Sequence, residues 1–239
     1  LKPHNIKADI DSNSQFPPLH AINRTIRRLH LGTYSPLKYV RADKRDEYSR
    51  QYDQAVKGGQ GGVFRQADRE ESLIHLMRVN LLKRMESSIH SFHLTVNSLL
   101  EQVDTLLEKV EQHQTAEIEE LSIENLDLDS PEWDALLIGN KIKVLIQDMD
   151  LVRWRQDLQE DRYQLQHLLE ESQAISPARD AKLHELQALI RSKINQPINP
   201  GNRKVIIFTA FADTAIYLYQ QLAPWALQEL GVHGALVTG

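Results

Sequence analysis

Arg203-Lys-Val-Ile-Ile-Phe-Thr-Ala-Phe-Ala-Asp-Thr-Ala-Ile-Tyr-Leu-Tyr219 is the stretch on which the reading of this chain turns. Four consecutive apolar residues, Val205 to Phe208, lead into a short polar turn and then into apolar residues at helical spacing. A continuous apolar run of this length is the pattern of a strand buried on both faces, as in parallel sheets. The segment therefore predicts strand, turn and helix. A second short strand is predicted at Ala235-Leu-Val-Thr238, immediately before Gly239. In open parallel sheets, ligands bind at the C-terminal edge of the strands, where Thr209 to Asp213 falls. A helix opening near Asp213 and Thr214 would offer free backbone N–H groups to an anion. Many ordinary βα turns share this pattern and bind nothing.

Upstream, Asn195 to Asn202 is rich in Pro, Asn and Gly and reads as a linker. Before it the chain is helical in pattern. Leu82, Met85, Ile89, Phe92, Val96, Leu99, Val103, Leu106 and Val110 recur at alternating spacings of three and four. That is a heptad seam within one long helical region, with Asp68 able to cap its start. The acidic stretch from 115 to 134, with Pro131, lacks a period and reads as a loop. Residues 136–174 return to helix. Val144, Leu151, Trp154, Leu158, Leu165 and Leu168 form a second seam that Asp161 interrupts. Ser176-Pro177 ends it, and 180–193 is a third helix. Two seams joined by a loop predict an antiparallel, coiled-coil-like hairpin in which each helix covers the other's apolar stripe.

The first 66 residues are a helical and loop region. Ile6, Ala8 and Ile10 alternate weakly, as an edge strand would. Pro17-Pro18 suits a helix start, with Leu19, Ile22, Ile26 and Leu29 on one face. Gly32 and Pro36 bracket a turn, residues 42–56 are helical and charged, and Gly58-Gly-Gln-Gly-Gly62 is a flexible connector. The expected organisation is thus 1–66, then 67–196 as a helical insertion, then 203–239. The fold class is mainly α, followed by the opening of an α/β lobe with parallel strands.

Hydrophobic residues make up 41% and charged residues 26%, as in ordinary soluble folded proteins. No apolar run approaches the roughly 18 residues of a membrane span. There is no signal-peptide pattern and no Cys, which fits a cytoplasmic location. The chain opens Leu1-Lys2-Pro3 rather than with Met, as an excised or processed chain would. The net charge of −5 is unevenly spread. Residues 1–100 carry 16 Lys+Arg against 10 Asp+Glu, and residues 101–200 carry 10 against 21. Only the first part is suited to a polyanion.

Most catalytic signatures are absent. The sequence holds no G-x-x-x-x-G-K-[ST] and no G-x-S-x-G. Asp68-Arg-Glu-Glu71 follows no buried strand and reads as helix N-terminal acid rather than as a magnesium box. His90 and His93 lack a third ligand, so no metal site is expected. Lys83, Arg84, Ser87 and Ser88 lie off the seam and set two cations and two hydroxyls within about one turn. Such a group suits phosphate contacts, although a plain helix surface has the same pattern.

Four segments together resemble superfamily 2 helicases, most closely the bacterial Swi/Snf-like DNA translocases. Lys204-Val-Ile-Ile-Phe-Thr-Ala-Phe211 resembles helicase motif IV, the first strand of the second RecA-like lobe. Ala235-Leu-Val-Thr-Gly239 is similar to the next strand, and Asp180-Ala-Lys-Leu-His-Glu-Leu186 to the helix that precedes motif IV. Leu81-Leu-Lys-Arg-Met-Glu-Ser-Ser-Ile-His-Ser-Phe92 is similar to the segment linking the lobes. The resemblance implies nucleic-acid contacts at Thr209, Ala210, Phe211, Thr238 and Gly239. It implies double-stranded DNA and the remaining helicase lobes as partners, and ATP with Mg²⁺ for a full-length parent. The P-loop, the acidic box and the later second-lobe motifs are missing, so no catalytic residue and no cofactor are expected on this piece alone. The alternative is a helical coiled-coil module that docks a protein and has no nucleic-acid role.

Overall fold

The computed structural model describes residues 5–55, 63–112, 120–122 and 143–238. It is mainly helical. The helices are α1 (Leu19–Arg28), α2 (Arg45–Tyr52), α3 (Gln66–Ser87), α4 (Ile89–Gln112), α5 (Leu151–Gln173), α6 (Ala181–Asn195) and α7 (Ala212–Leu230). Two small antiparallel pairs complete the described elements. β1 (Gln54–Ala55) joins β2 (Val63–Phe64), and β3 (Glu120–Ser122) joins β4 (Lys143–Leu145), with Leu121 opposite Val144. The expected Gly58–Gly62 connector lies outside the described residues, as does most of the expected 115–134 loop.

The chain divides into two compact units. One comprises residues 1–22, 82–95 and 168–239, and the other residues 23–81 and 96–167.

In the second of these, the core forms where helical periodicity says it should. Ile26 on α1 and Leu29 in the turn after it are fully buried, and so are Val96 on α4 and Trp154, Leu158 and Leu165 on α5. Each such side chain contributes roughly 1.5–3 kcal/mol. The residue that interrupts the α5 seam, Asp161, is also fully buried. Its carboxylate accepts the backbone N–H of His30 and of Gly32 at 2.5 and 3.1 Å. It thereby closes the turn after α1, where Leu31 adopts a left-handed φ of 52°. Trp154 donates its indole N–H to the Gly32 carbonyl at 3.0 Å. A side chain on Gly32 would meet the Tyr39 hydroxyl at 3.1 Å. Burial pushes the Asp161 carboxyl up to about 6.

Several expectations need correction. Ile6–Ile10 forms no strand; one bridge joins Asp11 to Asp180 instead. The reason is local, because the Asp11 carboxylate gathers the N–H groups of Asn13, Gln15 and Phe16 and a forked contact from Arg179. That environment holds Asp11 well below the usual carboxylate range, the Arg179 hydrogen bond foremost. The charged helix is shorter than 42–56 and runs only over Arg45–Tyr52. The seam helix is not continuous, since α3 ends at Ser87 and α4 begins at Ile89. Ser88 caps the new helix by accepting the Ser91 N–H at 3.0 Å. Leu81 and Leu107 are buried in place of the expected Leu82 and Leu106, and Val110 closes the seam as expected.

Residues 143–148 are not helical. They form β4 and a 3-10 turn. The Tyr48 hydroxyl accepts the Leu145 N–H and donates to Asp148, which holds this segment extended.

In the other unit, Leu183, Ile190, Ile194, Tyr217 and Leu222 form the core between α6 and α7. Val205–Phe208 departs furthest from the sequence reading. It forms no strand, and Ile206 and Phe208 are 77% and 90% exposed. Ala235–Thr238 is likewise unpaired, with Val237 90% exposed. A strand's backbone groups and both its faces need neighbours. No described residue pairs with either run, so the parallel strands do not form within the described chain.

Candidate nucleic-acid interface

The unit built from residues 1–22, 82–95 and 168–239 brings together segments that are far apart in sequence. The end of α3 and the start of α4 meet the start of α7. The geometry follows from two helix beginnings. Ser88 is the cap of α4, and Phe211 is the capping position of α7, with Asp213 in the first helical turn. A carboxylate there is favoured by the exposed N–H groups of the turn.

Arg84 is only 4% exposed. Its Nη1 donates to Asp213 Oδ2 at 2.5 Å and to Ser91 Oγ at 3.2 Å. Ser91 Oγ in turn donates to Asp213 Oδ2 at 3.2 Å. The guanidinium also lies 4.7 Å above the Phe211 ring. Beside this triangle runs a line of hydroxyls. Ser88 Oγ is 3.0 Å from Thr214 Oγ1, and Ser87 Oγ is 2.9 Å from Thr214 Oγ1 and 3.3 Å from Thr209 Oγ1. Arg84 Nε is buried with no hydrogen-bond partner among the described residues.

A second tie lies nearby in the same unit. Asp180 caps α6 by accepting the Leu183 N–H at 3.0 Å, and its other oxygen accepts the Tyr217 hydroxyl at 2.8 Å. Tyr217 stacks on His90 at 4.8 Å. Burial raises the Tyr217 phenol, and the Asp180 hydrogen bond raises it further. Lys182 donates to the backbone carbonyl of Glu86, and burial lowers its pKa.

Of the residues singled out from sequence, the structure gathers Arg84, Ser87, Ser88, Thr209 and Phe211 into this network. Lys83, Ala210 and Thr238 are exposed and stand outside it. Gly239 lies outside the described residues. Arg84 and Ser88 are not on an open helix surface. They are buried, and the Arg84 charge is committed to Asp213. An anion at the α7 N-terminus would meet the Asp213 carboxylate already there. Sequence reasoning missed Ser91 and the partnership of Asp180 with Tyr217. No local pattern in the sequence signals either partnership, because the partners lie 37 and 122 positions apart.

Among the described residues, no group of three or more His, Asp or Glu could hold a metal ion, and no helix is long and apolar enough to cross a membrane. Comparison with protein-family models, with curated proteins and with solved structures finds no match to this chain.

Proposed function

We propose that this chain supplies the inter-lobe helices and the opening strand-and-helix segment of the second lobe of an ATP-dependent DNA translocase. One observation carries the reading. Residues 84–91 and 209–214, about 120 positions apart, form a single hydrogen-bonded network, and Asp180 and Lys182 tie into the same unit. These are the segments that resemble the helicase family. The exposed apolar runs 205–208 and 235–237 suit strands whose neighbours come from further lobe residues. ATP and Mg²⁺ belong, on this reading, to a longer parent chain.

The helical arm has the form that either function needs. Asp104 pairs with Arg162 at 2.7 Å and Glu111 with Arg155 at 3.2 Å, an opposed order that supports an antiparallel hairpin of α4 and α5. An interaction module would use the same hairpin, but it leaves the gathering of three of the four family-like segments, 81–92, 180–186 and 204–211, unexplained.

The test is ATP hydrolysis by the full-length protein with and without duplex DNA. The expected result is a several-fold stimulation, reduced by the exposed charge reversal Lys83→Glu. A rate indifferent to DNA overturns the reading in favour of the interaction module.

A further inference from the structure

In the unit comprising residues 23–81 and 96–167, two adjoining cavities of about 590 and 460 Å³ share Lys38, Val40, Arg45 and Arg153 as walls. Arg41 lines the first and Arg65 the second, so five cations surround one continuous cleft. Among the described residues, two carboxylates line it, Asp150 and Asp53, and both are engaged with backbone amides. Asp150 accepts the Arg153 N–H at 3.1 Å, and Asp53 accepts the Gln66 N–H at 2.9 Å.

The cations are far less committed. Lys38 pairs with Asp157 at 3.4 Å, and Arg41 pairs with Asp43 at 3.2 Å in an exposed contact. Among the described residues, Arg45 uses only Nε, donating to the Val40 carbonyl. The Arg153 guanidinium lies 5.9 Å from the Tyr39 ring centroid. Among the described residues, the guanidinium groups of Arg65 and Arg153 make no hydrogen bond. A net-positive cleft in a chain of net charge −5 is a local feature and not a reflection of composition.

We infer that this cleft binds the phosphodiester backbone of nucleic acid, as a second contact surface apart from the motif-IV segment. Four of the five cations are arginines, whose planar forks match phosphate oxygens. Their placement around two joined openings suits a ligand with successive phosphates rather than one anion. A backbone contact of this kind carries affinity without reading sequence. The inference rests on the nucleic-acid reading above, and the two fail separately.

The experiment is fluorescence anisotropy of a labelled 20-base-pair duplex with this chain, at two salt concentrations. Arg45→Glu/Arg153→Glu is compared with Arg24→Glu/Arg28→Glu, a charge-matched change on exposed α1 positions outside the cleft. All four residues are exposed, so circular dichroism and melting should match wild type. The cleft variant should bind at least about 10-fold more weakly at low salt and lower the slope of log K on log[salt] by about 2. The control should stay within about 3-fold. Equal losses in both variants, no loss in either, or no duplex binding by wild type each overturn the cleft. So does binding of tripolyphosphate in place of duplex, which would mark a small-phosphate site. Retained DNA stimulation of ATP hydrolysis alongside any of these results leaves the proposed function standing.

Discussion

Two apolar stretches in this chain look equally strong on paper and end up in opposite places. Along α4, Phe92, Val96, Leu99 and Val103 are 0–4% exposed. Along 205–208, Phe208 is 90% exposed and Ile206 77%. A helix satisfies its own backbone hydrogen bonds and needs only one stripe covered. An extended run needs a neighbour on each side for its backbone and cover on both faces. Apolar composition therefore predicts burial directly for the first stretch, and only conditionally for the second.

The comparison breaks most sharply by truncating one phenylalanine in each stretch. Phe92→Ala should cost about 3–5 kcal/mol in urea unfolding, the range for a fully buried aromatic side chain. A loss below about 1 kcal/mol would mean that the α4 stripe is not core. Next in size is Asp213→Ala, which leaves the 4%-exposed Arg84 buried without its ion-pair partner. Removing one member of such a pair costs about 3 kcal/mol, at the low end of the range because Asp213 is 25% exposed. Stability unchanged by this substitution would show that the network adds nothing to the packing beside it.

A third test concerns a carboxyl held where water is scarce. Glu70 is 4% exposed and accepts the Leu37 N–H at 3.3 Å, and burial pushes its pKa up to about 8. The folded chain thus holds this proton more tightly than the unfolded chain does. Its stabilising share is complete below the unfolded value near 4.5 and declines as pH rises toward 8. Glu70→Gln should remove that slope and gain on the order of 2 kcal/mol at pH 8. A variant with the wild-type slope would place the titration elsewhere. The smallest effect is expected at Phe208→Ala, within about 0.5 kcal/mol of wild type for a side chain this exposed. A Phe208 loss matching that of Phe92 would mean that the run is covered in solution.

What the sequence made legible follows the same division. Periodicity placed α1 behind Pro17-Pro18, the stripes on α4 and α5, and Asp180 at the head of α6, because each is a local pattern. Asp161 was visible as an interruption, but its partners at His30 and Gly32 lie about 130 positions away. Arg84 was visible as a cation off the seam, and only the fold turns it toward Asp213. The Ser87–Ile89 break was hidden because the heptad spacing continues across it without a fault. The cationic cleft was invisible because Arg45, Arg65 and Arg153 come from segments with no shared pattern.

Trp154, sealed at 1% exposure with its indole N–H on the Gly32 carbonyl, also makes the fold optically addressable. Trp225 belongs to the other unit, half-buried beneath Arg191, whose guanidinium is 5.5 Å from its ring. Indole emission shifts to the red when water reaches the ring. With Trp133 and one of these two replaced by Phe, the remaining indole becomes a fluorophore confined to a single unit. The melting of each half can then be followed at its own wavelength trace within the intact chain.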